Sequence, residues 1–239
     1  MDSATRLQGL LEQKLKPIFS PDTLAALRVV NRVQDLPWGL YAHMSVTDSE
    51  GSPGLYDRAD GVVYLVAENL TTSSLLQETL SHELRHLGLA RYTRLLGDRL
   101  GGDVDTAAHK VAMALDALYV AHQSEIDALA EPGGAYEGIF DGLSPKKRRR
   151  LLAEEFFAIN RGKYGQDRWF DGVLAVLHDF LHAVCRALGI SSGVSLGHQS
   201  VFRQLEAVVD GALQRPIPRA VGHKAPITDF EPSAAPAQS

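Results

Sequence analysis

Residues 82–86 read His-Glu-Leu-Arg-His, so two histidines stand four positions apart with a glutamate directly after the first. On a helix, residues with this spacing lie one turn apart on the same face, and His82 and His86 could both reach one metal ion. Glu83 would then lie beside the ion, placed to accept a proton from a water molecule rather than to bind the metal. This HExxH arrangement is typical of zinc-dependent hydrolysis of peptide bonds.

The residues around this motif favour a helix. Leucines recur with helical spacing before, within and after it, at Leu75, Leu76, Leu80, Leu84, Leu87 and Leu89. The Thr and Ser residues at 71–74 are good candidates for the N-cap of that helix. The alternative interpretation, a helix that carries two surface histidines and an ordinary glutamate, explains the whole pattern less well.

A catalytic zinc ion in a protein binds three side chains and a water molecule, so the motif requires a third ligand. In the pattern HExxHxxGxxH, the glycine would fall at position 89 and the third histidine at position 92. This chain has Leu89 and Tyr92 there, and that arrangement is therefore excluded. Another arrangement takes a glutamate from a later helix.

Two adjacent glutamates, Glu154 and Glu155, are the best candidates for this ligand. They lie in the otherwise apolar segment 151–158, where a carboxylate is costly to bury unless it is paired or bound to a metal. We favour Glu155, because Ala158 three residues later leaves room on the same face for the motif helix to approach. Alternatively, both glutamates are exposed on the helix surface, as acidic residues mostly are.

A second pair of histidines, His178 and His182, repeats the same spacing on a later helix. This pair could form a second metal site or supply the third ligand of the first. Such a pair is more often one buried and one partly exposed histidine without a metal. Asp179 follows His178 but lacks the extra methylene group of a glutamate, so it would serve less readily as a base.

The segments ahead of the motif predict a small antiparallel sheet. Residues 27–33 mix β-branched and polar side chains with the period of a strand. The turn signal Asp-Arg-Ala-Asp-Gly at 57–61 predicts a hairpin that pairs residues 54–56 with Val62–Val66, the clearest strand of the chain. Residues 41–46 are a weaker candidate for another strand.

Helices are predicted for most of the remaining chain. Apolar periodicity places them at 3–16, at 105–130, at 145–160, at about 169–188 and at about 200–213. The residues from 216 onward include few large apolar side chains and predict a disordered tail at 216–239. The expected fold class is α+β, with one domain at 1–215 in which the small antiparallel sheet is followed by a mainly helical body.

Composition and charge limit the kinds of function that we expect for this chain. The chain has 239 residues, 45% of them hydrophobic, which suffices for one sizeable core. Its net charge of −5 provides no basic field to attract nucleic acid, and we expect no nucleic-acid partner.

The basic run at 146–150 follows Ser144 and Pro145, which predict an N-cap and a first helical residue. We therefore interpret the run as solvated first turns of a helix rather than as a nucleic-acid or localisation patch.

The sequence also indicates where the protein acts. Its single cysteine, Cys185, rules out an internal disulfide framework and suits a reducing compartment, and apolar neighbours favour a core thiol over a nucleophile. The N-terminus lacks a cationic segment followed by an apolar run, and no stretch of about 18 apolar residues occurs. We expect a soluble, cytoplasmic protein without a membrane segment, which would need a route other than Sec to act outside its cell.

The stretch 61–94 resembles the zincin-like metallopeptidase domains found in large polyvalent proteins of phages and conjugative elements. It contains the strand sequence GVVYLVAEN, a link rich in Thr and Ser, and ETLSHELRHLGLARY. Those domains have a hairpin strand ending in a similar turn, then HExxH and a Gly-Leu-Arg-like stretch, and later a Glu-Glu-x-x-Ala segment. Residues 154–158 match that segment, and the likeness covers roughly residues 27–185.

The resemblance implies a zincin-like fold of the gluzincin type. By the same resemblance, His82, His86 and Glu155 would bind zinc, and Glu83 would be the general base. No tyrosine or histidine of this chain matches a family position for the group that stabilises the transition state. The candidates for that role are Tyr92, Tyr136 and Tyr164.

Together these features predict a zinc-dependent peptidase with a peptide or protein substrate, which would add to the sheet as an extended strand along Val62–Val66. The alternative is a non-catalytic, zinc-stabilised interaction module of a mobile element or an effector. Glu83 argues against that alternative, because a structural zinc site needs no base. A metal-free helical binding protein is a third alternative, which zinc in the purified protein would exclude.

Overall fold

The structure, a computed structural model, describes residues 3–46, 51–160 and 201–216. Within these ranges the chain is a mixed α+β protein, mostly helical with one three-stranded sheet, and the predicted fold class is confirmed at that level. No helix in these ranges is long and apolar enough to cross a membrane. Several predictions lie outside the described residues, namely the helix at 169–188, the pair His178 and His182, Tyr164, Cys185 and the tail beyond Pro216.

The sheet consists of β1 (Leu27–Val30), β2 (Gly54–Asp57) and β3 (Val62–Val66) in the order β1-β3-β2. β2 and β3 form the predicted antiparallel hairpin, with Tyr56 opposite Val63. β1 pairs with β3 in parallel, so the prediction of a purely antiparallel sheet was wrong. Parallel pairing is possible here because the long stretch between β1 and β3 provides the crossover connection of a dozen or more residues that parallel neighbours need.

β3 is the central strand, which corrects the prediction that an extended substrate adds along Val62–Val66. Four of its five residues are buried, and a continuous apolar run of this kind is typical of a strand covered on both faces. The two edges of the sheet are therefore β1 and β2.

A side chain of the first helix closes the β1 edge. Gln8, in α1 (Ser3–Leu15), donates from Nε2 to Leu27 O at 3.2 Å and accepts at Oε1 from Val29 N at 3.0 Å. Its amide thus makes two of the hydrogen bonds that a further strand would make. In the part of the chain that the structure describes, β2 is the other edge, and no strand pairs with its outer side.

The predicted strand at 41–46 was wrong, because this segment is the helix α3 (Trp38–Val46). It contains a single β-branched residue, Val46, and several good helix formers, so propensity already favours the helix. The helix follows the short α2 (Pro21–Ala25) and β1 in the chain. Its residue Tyr41 packs against the face of the sheet that carries Tyr64 and Val66.

The HExxH motif lies in α4 (Ser73–Arg99), a helix of 27 residues at the centre of the helical layer. The helix begins as predicted, because the Thr72 side chain accepts a hydrogen bond from Leu75 N at 3.1 Å. α4 packs against the opposite face of the sheet from α3 and against the later helices. Gly88 permits the closest of these contacts, since a Cβ there would lie 2.4 Å from Val209 Cγ1.

The later helices are α5 (Val104–Ala121), α6 (Gln123–Ala128), α7 (Pro145–Ile159) and α8 (Val201–Gln214). The single helix predicted at 105–130 is thus divided at His122, whereas α7 and α8 agree with prediction. α7 begins at the predicted N-cap Ser144, which accepts from Lys147 N at 3.4 Å. In the basic run, Arg150 forms two hydrogen bonds of 2.8 and 2.6 Å to Asp116 of α5, and this contact helps to fix α7.

Candidate metal site

Three side chains from α4 and α7 converge on one point. The Nε2 atoms of His82 and His86 are 3.2 Å apart. Glu155 Oε2 lies 3.4 Å from His82 Nε2 and 3.3 Å from His86 Nε2. The three atoms form a nearly equilateral triangle, and this cluster could hold a metal ion. The structure therefore brings together the three ligands that the sequence predicts.

The cluster is buried on the side of His86 and partly exposed to solvent on the side of His82. His86 is almost fully buried, and the Glu155 side chain is only 12% exposed, whereas the His82 side chain is 25% exposed. A molecule from solvent would approach the cluster from the side of His82.

Glu83, the predicted general base, is buried beside the cluster with 7% of its surface exposed. Burial raises the pKa of its carboxyl group above the usual value, and the nearby His86 and His82 partly oppose this effect. A raised pKa means that Glu83 holds a proton more strongly than an exposed glutamate does. A group that must accept a proton and later release it benefits from such a shift.

The two adjacent glutamates of α7 have different environments. Glu155 turns into the cluster, while Glu154 lies behind His86, with Oε1 2.7 Å from His86 Nδ1. Arg58 also contacts Glu154, at 2.8 Å from Oε1 and 3.1 Å from Oε2. Both glutamates are buried, so the alternative that they are surface acids is wrong.

Charge interactions decide the ionisation of these groups. Burial would raise the pKa of Glu155, but His86 and His82 hold it well below its usual range. Burial would also raise the pKa of Glu154, but Arg58 and His86 lower it to about 2. Burial would lower the pKa of His86, whereas the charges and hydrogen bonds of Glu155 and Glu154 raise it to about 10.

Of the three tyrosines considered from the sequence, Tyr136 lies at the cluster. Its hydroxyl group donates to Glu155 Oε2 at 2.8 Å, and burial together with the charge of Glu155 raises its pKa. The residue lies in the loop between α6 and α7, where its ring stacks on Phe140 with the centroids 5.8 Å apart. Tyr92 is instead buried in the hydrophobic core.

Two arginines of this region were not predicted from the sequence. Arg58 lies in the turn of the β2–β3 hairpin, and no local pattern connects it with Glu154 in α7. Arg85 occupies a variable position of HExxH, yet it is buried, with its guanidinium carbon 4.9 Å from the Phe157 ring centroid. Adjacent residues of a helix do not face each other, so its neighbours Leu84 and His86 give no signal that Arg85 is buried.

We found no match to this chain among models of protein families, among curated proteins or among solved structures. The function of the chain is therefore inferred from the geometry and chemistry of the cluster and its neighbours.

Proposed function

We propose that this chain is a zinc-dependent peptidase of the zincin-like, gluzincin type that hydrolyses a peptide or protein substrate. The observation that carries the proposal is the triangle of His82 Nε2, His86 Nε2 and Glu155 Oε2, with sides of 3.2 to 3.4 Å. A tetrahedral zinc ion with bonds of about 2.0–2.1 Å separates its ligand atoms by roughly 3.3–3.4 Å. Two imidazoles and one carboxylate also suit zinc better than Ca²⁺ or Mg²⁺, which prefer oxygen ligands.

The neighbouring residues support a catalytic role. When bound in such a site, zinc lowers the pKa of a water molecule toward about 7 and polarises a carbonyl group. Glu83 would accept a proton from the attacking water and deliver it to the leaving amine, and its buried position keeps that proton near the site. His82 leaves the cluster accessible to a substrate, because its side chain is partly exposed.

Tyr136 is suited to stabilise the reacting carbonyl group. Its hydroxyl lies 2.8 Å from the ligand atom Glu155 Oε2, so it reaches the edge of the metal site. A tyrosine hydroxyl group is protonated at neutral pH, and the raised pKa of Tyr136 strengthens this preference. A donor in this position could hydrogen-bond to the carbonyl oxygen as negative charge develops there, which is the usual function of an oxyanion-stabilising group.

The β2 edge is suited to hold an extended substrate. Val66 N donates to Pro53 O at 3.0 Å, so these two residues form a hydrogen-bonded pair of the antiparallel ladder. Hydrogen-bonded and non-hydrogen-bonded pairs alternate along such a ladder. Leu55 therefore bonds to β3, whereas Tyr56 directs its backbone N–H and C=O to the outer side of the sheet. The Tyr56 ring lies nearly parallel to the imidazole of His86 with the centroids 6.1 Å apart, so this edge passes close to the metal site. A peptide could add here as a further strand.

The rival function is a non-catalytic interaction module that zinc stabilises. Such a site would be covered, and it would not need a base. The partial exposure of His82 and the buried carboxylate of Glu83 beside the cluster both favour the enzyme over the module.

The test compares wild type with Glu83→Gln, and uses Glu78→Gln as a control on the exposed face of the same helix. Substrates are a peptide with the sequence of residues 217–239 and a denatured lysate in which new N-termini are labelled and sequenced. Wild type and Glu78→Gln should cleave, and Glu83→Gln should lose at least about 10²-fold in turnover while it keeps its zinc. Equal cleavage by Glu83→Gln and wild type would contradict the mechanism.

A further inference from the structure

We propose that Arg58 and Glu154 form a positioning pair that orients His86 toward the metal, and that Arg58 positions His86 through its contact with Glu154. The proposal deepens the proposed function and rests on its metal-binding part, not on peptide hydrolysis.

The contacts form a chain of three groups from three separate segments. Arg58 belongs to the turn after β2, Glu154 to α7 and His86 to α4. The Arg58 guanidinium contacts both carboxylate oxygens, with Nη2 at 2.8 Å from Oε1 and Nη1 at 3.1 Å from Oε2. Glu154 Oε1 is in turn 2.7 Å from His86 Nδ1. The two-pronged contact fixes the plane of the carboxylate, which one donor alone would not do.

This arrangement determines how His86 faces the cluster. A carboxylate only accepts hydrogen bonds, so the proton that His86 keeps when it binds a metal lies on Nδ1, and Nε2 is left to face the ion. His86 is almost fully buried, and the Tyr56 ring lies nearly parallel to its imidazole with the centroids 6.1 Å apart. Glu154 is therefore the contact that holds the imidazole at the angle the cluster requires.

The same contacts distinguish Glu154 from a metal ligand. Its carboxylate lies on the Nδ1 side of the imidazole, whereas the cluster lies on the Nε2 side. Within the described residues, the Arg58 guanidinium forms its hydrogen bond and its ion pair with Glu154, and its charge also acts at longer range on Glu155. A change of Arg58 should therefore disturb the orientation of His86 only as far as it disturbs Glu154.

The experiment measures the dissociation constant for zinc of the metal-stripped full chain, by competition with a chromophoric chelator, in a double-mutant cycle. The variants are Glu154→Gln, Arg58→Met and the double variant, with Arg28→Met as a matched control at an exposed arginine of β1. The absorption spectrum of the Co²⁺-loaded chain is recorded in parallel, because it reports ligand geometry without reference to activity.

Glu154→Gln should weaken zinc binding by about 10- to 100-fold, the usual effect of losing a partner of a ligand histidine. Arg58→Met should weaken zinc binding in the wild-type background. In the Glu154→Gln background the same change should cause no further loss of zinc affinity. Both single variants should shift the Co²⁺ spectrum, and Arg28→Met should change neither quantity. Arg58→Lys, which retains the charge but not the two-pronged contact, should recover part of the affinity.

Two results would overturn the proposal while the proposed function stands. These are unchanged zinc affinity in Glu154→Gln, and additive effects of the Arg58 and Glu154 changes. If circular dichroism shows that Glu154→Gln does not fold, Glu154→Asp replaces it, since it keeps the charge but withdraws the carboxylate from Nδ1. A wild-type chain that binds no zinc would contradict the proposed function itself, together with this inference.

Discussion

Arg85 lies inside the HExxH motif, yet its guanidinium bonds to Glu206, 121 residues further along the chain. The same guanidinium donates to the backbone oxygen of Phe157, two residues after the candidate ligand Glu155. It also lies over the Phe202 ring, 5.5 Å from the centroid. One buried side chain thus joins α4, α7 and α8 next to the candidate metal site.

Replacement of Arg85 by Met should destabilise the chain, because it removes a donor from the Phe157 carbonyl and from the Glu206 carboxylate. Losing one partner of a buried ion pair costs about 3–5 kcal/mol. Since the Glu206 side chain is 22% exposed, we expect a smaller loss, about 2–3 kcal/mol in the free energy of unfolding. Urea denaturation of the metal-free chain measures it, with Arg6→Met on the exposed side of α1 as the control. An equal stability of the two variants would show that the contact contributes nothing.

Removal of a predicted ligand should remove the metal. His82→Ala and Glu155→Ala should each lower the zinc content well below the expected value of about one per chain, because two remaining ligands bind zinc weakly. Elemental analysis of the purified proteins gives this number. His178→Ala is the informative comparison, and it should retain the metal. If His82→Ala retains zinc and His178→Ala loses it, the metal site lies at the second histidine pair.

Tyr136→Phe should lower kcat by about 10²-fold with little change in bound zinc, as expected when a single oxyanion-stabilising donor is removed. The substitution deletes only the hydroxyl group that donates to Glu155 Oε2. Tyr119→Phe is the matched control, because it deletes a hydroxyl group that donates to Asp127 at 2.8 Å. Steady-state kinetics on any peptide that wild type cleaves provides the measurement, and full activity of Tyr136→Phe would remove the residue from the mechanism.

Zinc binding should release a proton and should weaken as the pH falls. The pKa of His86 is raised to about 10 in the metal-free chain, so His86 is protonated at neutral pH and its proton must leave when the metal binds. For one displaced proton the apparent affinity falls about tenfold for each pH unit below that pKa. Isothermal titration in buffers with different heats of ionisation counts the protons released. A count of zero at neutral pH would contradict the raised pKa.

The sequence predicts the parts of the site that depend on local spacing. The sequence alone shows the four-residue interval between His82 and His86 and the two carboxylates in an apolar segment. The structure brings His82, His86 and Glu155 together. The hairpin turn and the N-caps at Thr72 and Ser144 are local signals of the same kind. The nature of the metal and the peptidase activity remain predictions that the experiments above address.

The sequence does not predict the parts that depend on distant partners. The position of β3 in the sheet depends on pairing with β1, which no turn signal indicates. Arg58 and Glu154 are 96 positions apart, and each taken alone is an ordinary charged residue in a turn or a helix. Side chains that meet across such a separation have no common periodicity, so only the folded arrangement shows that they form one contact.

The amide of Gln8 has a consequence for how copies of this chain can associate. Because it occupies the carbonyl group of Leu27 and the N–H group of Val29 on the β1 edge, β2 is the more open sheet edge of each copy in the ranges that the structure describes. Two copies could pair through β2, but a third would find no edge to join, and growth by strand addition would end at a dimer. Such a dimer would cover the edge that passes close to His86, so self-association through strands and substrate binding would exclude each other.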